Sequence, residues 1–292
     1  MMDPSNPYRD YTQTITKIFQ EGLSLPHGGM KKPDSIPIDF SSPKVLILAP
    51  HPDDECVMGS LPLRLRREVG SQVITLPITL GSNPDRKDER MGEIQAACEW
   101  IGFDLEVIED RGLDNINPCF RLENQEEWKF STTKLANAIV KNNPDMLFFP
   151  NATDWNQTHL GVHLLVMDAL STLNSFSTIL VETEFWGQMK DPNLMVESSS
   201  DEVADLVAAL SHHRGEIKRN PFHLRLPAWM QDNVRRGAEV VGGQGGKAPK
   251  FDFATLYKLS RWEDGHQYRL WDHGKFLAHA MSGNKSILDQ LK

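Results

Sequence analysis

The chain has 292 residues, 39% hydrophobic and 24% charged, which is the balance of a globular protein with length for one large α/β domain or two small ones. Its net charge of −9 disfavours nonspecific binding to nucleic acid or to an anionic membrane. No apolar stretch approaches the ~18 residues of a membrane span, and the N-terminus lacks the basic start and apolar segment of a secretory leader. Cys56, Cys98 and Cys119 are widely spaced and odd in number, so neither a disulfide framework nor a CxxC metal site is expected, and a cytoplasmic location is.

Residues 1–42 are polar and rich in proline and glycine, with one helix-like stretch at 10–20. They read as an N-terminal extension. The rest, 43–292, reads as a single domain that includes the segment 190–292. Strands and helices alternate through it. Val45–Ala49 is an apolar run with the character of a buried strand; 56–68 is helical, and 73–78 is a strand. Lys87–Ile101 places Met91, Ile94, Ala97 and Ile101 on one helical face. A short strand at 105–108, a helix at 126–141, a strand at Met146–Pro150, a helix at 160–173 and a strand at 178–182 follow. Such alternation implies right-handed βαβ crossovers. It predicts an α/β fold: a Rossmann-like three-layer sandwich, with a mostly parallel sheet between helices. Sheets of this kind carry their sites beyond the carboxyl ends of the strands.

Beyond residue 190 the pattern weakens to a helix at 201–218 and a late strand at 251–259. The glycine-rich stretch 242–247 contains a lysine but lacks phosphate-loop spacing and follows no buried strand, so it reads as a loop.

Two strand ends carry chemistry. The run HPDDE, residues 51–55, follows the first core strand directly, and Pro52 stops that strand. His51 and Asp54 are three apart, so a tight turn can aim both at one ion, and imidazole with carboxylate suits zinc or another first-row divalent metal. Asp53 points elsewhere and is free to act as base toward a water that such a metal activates. The plainer alternative is that these acids only cap the next helix. A second strand, Met146–Pro150, runs into NATDWNQTHLGVH, which carries His159 and His163 one helical turn apart. Either can complete a His-Asp-His set that leaves positions open for water and substrate.

Together these residues resemble the LmbE-like or PIG-L family of metal-dependent N-deacetylases, which act mostly on N-acetylglucosamine linked to another group. The resemblance covers roughly residues 43–240. It rests on HPDDE after the first strand, Thr79–Gly81 after the second, Arg90-Met-Gly-Glu93 in the next helix, and NQTH at 156–159. Weaker matches are Leu210-Ser-His-His213-Arg-Gly-Glu216 and Gly237-Ala-Glu239. The resemblance implies that His51, Asp54 and His159 bind the metal, usually zinc, with ferrous iron or another divalent ion open. It implies that Asp53 is the general base and that Arg90 and His213 contact substrate. Arg90 has a plainer alternative, a surface pair with Glu89 or Glu93. Two positions depart from the family. Thr158 stands where an aspartate often orients the metal histidine, and Asn156 stands where a histidine stabilises the oxyanion or donates a proton. An asparagine can hydrogen-bond an oxyanion but cannot serve as an acid.

The sequence therefore reads as a zinc-dependent hydrolase that releases acetate and a free amine from an N-acetylated sugar conjugate, with Asp53 and Asn156 as catalytic residues. A homo-oligomer stays open. One rival is an amidase of the same fold that cleaves a larger acyl group. Another is a binding protein that has lost turnover. A dinucleotide-dependent oxidoreductase is excluded, because no GxGxxG follows the first strand.

Overall fold

The computed structural model describes residues 6–279 and 287–291. One nine-stranded sheet runs through the described residues. Five parallel strands form its first half: β1 (Val45–Ala49), β2 (Val73–Pro77), β3 (Asp104–Leu105), β4 (Met146–Pro150) and β5 (Ser177–Thr183). Their spatial order is β3-β2-β1-β4-β5. The long strand β7 (Phe253–Glu263) lies antiparallel to β5, and β6 (Leu194–Ser198) pairs antiparallel to β7. Two short strands, β8 (His266–Arg269) and β9 (Lys275–Leu277), pair with β7 and β6.

The apolar run of β1 is buried along its whole length because the sheet is covered on both faces. Val45, Ile47 and Ala49 face one core, whereas Leu46 and Leu48 face another. β4 divides in the same way, Met146 and Phe148 against Leu147 and Phe149. This alternation is the three-layer sandwich expressed residue by residue. Each fully buried leucine contributes about 1.5–3 kcal/mol relative to an exposed one.

The helix expected at 56–68 is two helices, α2 (Asp54–Val57) and α3 (Ser60–Glu68). The break falls at Gly59, whose φ of 87° and close approach to the Thr255 side chain leave no room for a Cβ. The Tyr257 hydroxyl bridges the break, donating to the Met58 carbonyl at 2.6 Å and accepting from the Leu61 amide at 3.1 Å. α4 (Lys87–Ile101) has the expected bounds. A short α5 (Pro118–Glu123) precedes α6 (Gln125–Asn142). β4 leads into α7 (Gln157–Ser171).

The helix expected at 201–218 also divides, into α8 (Ser200–Leu210) and α9 (Arg214–Arg219). The extension meets the chain at that break, where the Ser211 hydroxyl accepts from the Gly28 amide at 2.9 Å. A 3-10 turn at Phe222–Arg225 then opens α10 (Leu226–Val240), and α11 (Ile287–Leu291) lies near the C-terminus.

Within the extension, α1 (Tyr8–Gly22) sets Phe19 under the Arg225 guanidinium at 3.6 Å. His27 meets the buried His223 ring edge-on at 5.9 Å. Burial, with His27 beside it, holds the His223 imidazole down at about 4, against an ordinary 6.5. The unfolded chain therefore takes up a proton that the folded chain refuses until lower pH. Stability is expected to fall as pH drops from 6.5 toward 4. A melting-temperature series over this window should decline for the wild type and decline less for His223→Phe. Identical slopes would show that this histidine does not carry the effect.

Candidate metal centre

β1 and β4 are neighbours, but the chain leaves β1 toward β2 and returns through β4 on the other side. The crevice between their carboxyl ends is the switch point where sheets of this order hold ligands. HPDDE leaves β1 there, and the loop after β4 closes over the same place.

Three donor atoms meet in it. His51 Nδ1 lies 3.3 Å from His159 Nε2 and 3.5 Å from Asp54 Oδ2, and His159 Nε2 lies 3.4 Å from Asp54 Oδ2. The triangle is nearly equilateral. Ligands ~2.1 Å from a tetrahedral zinc stand ~3.4 Å apart, so the chain's own geometry fits such an ion and leaves the fourth direction open. Burial pulls the His51 pKa down, outweighing Asp54. For His159 burial acts the same way, but Asp54 and Asp154 outweigh it and raise the pKa. Of the two histidines of α7, His159 is the one brought to the centre. His163 bonds the Pro150 carbonyl at 3.0 Å and stacks near Phe149.

Asp154 is the residue that sequence reasoning missed. Its Oδ2 lies 3.2 Å from His159 Nδ1, and its Oδ1 accepts from the Asn156 amide at 2.9 Å. A carboxylate on Nδ1 fixes the tautomer and turns the Nε2 lone pair to the centre. The orienting role that Thr158 cannot fill is thus taken by an aspartate five residues before the histidine. The signal was present as an acid in the loop after a buried strand.

Asp53 occupies the N-cap position of α2 but makes no capping hydrogen bond with its side chain. Its φ is 119°, in a region side chains rarely adopt. The Pro52–Asp53 peptide is held at both ends. Arg90 Nη2 donates to the Pro52 carbonyl at 2.8 Å, and the Asp53 amide donates to Glu55 Oε2 at 2.9 Å. So held, Asp53 sends its carboxylate into the pocket and not to the donor triangle. Burial and the neighbouring Asp54 push its pKa well up, while Arg90, 3.9 Å away, opposes them.

Arg90 is buried, and it pairs with neither Glu89 nor Glu93, both of which face Arg86. It lines the polar cavity beside Asp53, so position and packing role coincide. His213 is fully buried, and its Nε2 lies 2.7 Å from Glu55 Oε1. It does not line either cavity beside Asp53. Asn156 lines the polar cavity and caps α7, its oxygen accepting from the Thr158 and His159 amides at 2.9 and 3.4 Å. With the oxygen so committed, the amide nitrogen is the group it offers outward.

Fold and geometry together give an α/β protein with three residues that could hold a metal ion at the switch point of its sheet. Residues 46–170 match the family described as PIG-L: GlcNAc-PI de-N-acetylase. The match runs from β1 to the end of α7 and includes all three donors. No curated protein matches the chain in sequence.

Solved structures share the fold. A conserved protein from Thermus thermophilus has a TM-score of 0.55 at 20% identity, over 74% of this chain and 94% of its own. N,N'-diacetylchitobiose deacetylase from Pyrococcus horikoshii has 0.54 at 16%, over 87% and 93%. The 4-carboxy-2-hydroxymuconate hydratase from Pseudomonas putida has 0.50 at 14%, over 74% and 95%. A deacetylase and a hydratase on one fold mean that architecture alone does not name the reaction. No helix among the described residues is long and apolar enough to cross a membrane.

Two measurements check the centre. His51→Ala and Asp54→Ala should each abolish tight binding of one divalent ion per chain, whereas Asp154→Asn should weaken it about 10–100-fold, the usual cost of losing a supporting carboxylate. Metal titration of the purified variants decides; full affinity in all three would refute the assignment. Arg90→Ala should lower stability by about 1–3 kcal/mol because it strands a buried carbonyl. Denaturant unfolding within 0.5 kcal/mol of wild type (on the order of a neutral surface change) would refute the clamp.

Proposed function

We propose that this chain is a metal-dependent amide hydrolase that removes the N-acyl group of an amino-sugar conjugate, releasing a carboxylate and a free amine. The observation that carries the reading is the division of labour between adjacent aspartates: Asp54 in the donor triangle, Asp53 outside it and facing the cavity. The family match supports an N-acetyl group on glucosamine as the reacting unit. Zinc is the proposed ion, since two imidazoles and one carboxylate suit it, and the same set suits ferrous iron.

A divalent ion held by His51, Asp54 and His159 supplies Lewis acidity toward the amide carbonyl and the attacking water. Asp53 accepts the water's proton as its oxygen bonds to the carbonyl carbon. The Asn156 amide nitrogen donates to the carbonyl oxygen as negative charge develops there. Asn156 cannot give up a proton as an acid, so Asp53 passes the proton on to the leaving nitrogen as the C–N bond breaks. Arg90 stands close enough to Asp53 to favour its ionised form between these transfers. Asp154 keeps the His159 tautomer fixed throughout.

The cavity in front of Asp53 is about 520 Å³ and is walled by Asn83, Arg86, Asn156, Glu216 and Asn220. Glu216 is ionised in that wall: burial would raise its pKa, but Arg219, Arg86 and Arg90 outweigh it and hold it at about 2. Such a lining offers donors and acceptors to a hydroxyl-rich sugar. A rival reading, a binding protein without turnover, rests on the missing aspartate at 158 and the missing histidine at 156, and Asp154 on His159 Nδ1 answers the first of these.

Asp53→Asn keeps the shape and removes the base. It is expected to retain the metal while amine release from N-acetylglucosamine conjugates falls ~10²-fold or more. Metal content and turnover should be read on one preparation. Undiminished turnover would rule out the mechanism, and loss of metal would place Asp53 among the ligands.

A further inference from the structure

Asp53 and Trp186 line two cavities, and no other lining residue is common to both. The first is the polar cavity already described. The second, about 280 Å³, is walled by Val57, Phe185, Phe222, Leu226 and Trp229, and it opens onto Asp53 and Asp54. Its aromatic wall is continuous with the donor set: Phe185 stands edge-on to the His159 ring at 5.0 Å, and Phe222 edge-on to Trp186 at 5.8 Å. Its polar side chains apart from the two aspartates are Gln188, exposed to solvent, and Arg225, whose guanidinium is stacked over Phe19.

We infer that this second cavity is an acyl chamber, and that the scissile amide carries an extended apolar acyl group. The inference rests on the de-N-acylase reading above. An amide has one substituent on nitrogen and one on the carbonyl carbon, and the carbonyl must sit between Asp53 and the donor triangle. The polar cavity suits the sugar on nitrogen. The apolar one is left for the carbon chain. It offers little to a second sugar, because hydroxyls buried against phenylalanine, leucine and valine find few partners. An acetyl methyl fills a volume on the order of one water, ~30 Å³. The chamber is several times larger, so an acetyl group leaves most of its apolar wall uncovered. Each further methylene buried there is worth about fourfold in kcat/KM. The hydrolysis balances as before: water oxygen ends in the longer-chain carboxylate, the C–N bond breaks, and the amine gains the proton that Asp53 carried.

The test uses the full chain reconstituted with zinc. Amine release is measured from N-acetyl-, N-hexanoyl- and N-octanoylglucosamine, and from the methyl and octyl glycosides of N-acetylglucosamine. The chamber predicts that kcat/KM rises at least ~10-fold from acetyl to hexanoyl, and that the hexanoyl-to-acetyl ratio falls toward one in Trp229→Ala. A flat acyl series, or a gain that follows the octyl glycoside alone, overturns it. A binding arm needs no turnover: octanoate, with acetyl's own acid, acetate, as control, is titrated against tryptophan emission. Saturable quenching by octanoate that Trp229→Ala abolishes supports the chamber even if no substrate releases amine, in which event the hydrolase reading fails by itself. Amine release from N-acetylglucosamine without such quenching overturns the chamber and leaves the hydrolase reading standing.

Discussion

The peptide between Pro52 and Asp53 is the constraint on which the site depends. Asp53 adopts a φ that costs a non-glycine residue on the order of 1–3 kcal/mol. The conformation persists because Arg90 takes the carbonyl end and Glu55 the amide end. Glu55 is itself fixed, by His213 at 2.7 Å and the Cys56 thiol at 3.3 Å on its other oxygen. These partners come from α4, from α2 and from the break after α8. The turn is therefore set only when three separate elements have packed. The adjacent carboxylates then diverge, one toward the imidazoles and one toward the cavity.

The same arrangement explains how three successive acids survive in a buried turn of a chain that is already negative. Unpaired, each would be costly in a medium of low dielectric. Each instead has its own basic neighbour. Asp54 faces His51 and His159, Asp53 faces Arg90, and Glu55 faces His213. Each acid has its own counter-group, although Asp54 still raises the pKa of Asp53 beside it.

The parts of this fold legible in the sequence were the local ones. The β1 and β4 runs, their proline ends and the two histidine-bearing loops follow from adjacent residues, and β1, α4 and β4 have the bounds the pattern implies. What was not legible depends on distant partners. Gly59 splits a helix because Thr255 presses on it from β7. β6 and β9 form by pairing across the far half of the sheet, and neither carries a strong pattern of its own. His213 sits in a motif that suggests a pocket residue, yet the break before α9 turns it inward to Glu55. Asp154 is not legible from the position next to His159, because the loop brings round the acid five residues back.

The candidate metal-ligating residues His51, Asp54 and His159, with Asp53 and Asp154, all lie within residues 46–170, the span of the family match. Most of the apolar cavity wall comes from outside it, from the loop after β5 and from residues 222–229. Reactive groups and shaping walls thus come mostly from different stretches of one chain; they meet at Asp53, Asp54 and Val57 in the cavity wall, where Phe185 abuts the His159 ring and where the Trp186 amide donates to Asp154. Exchange of the later stretch would recast the contour around the aspartates without touching a single donor. Such a molecule is built as a fixed tool in an interchangeable grip, and drift in its second half can redirect it to a new compound while the first half stays as it is.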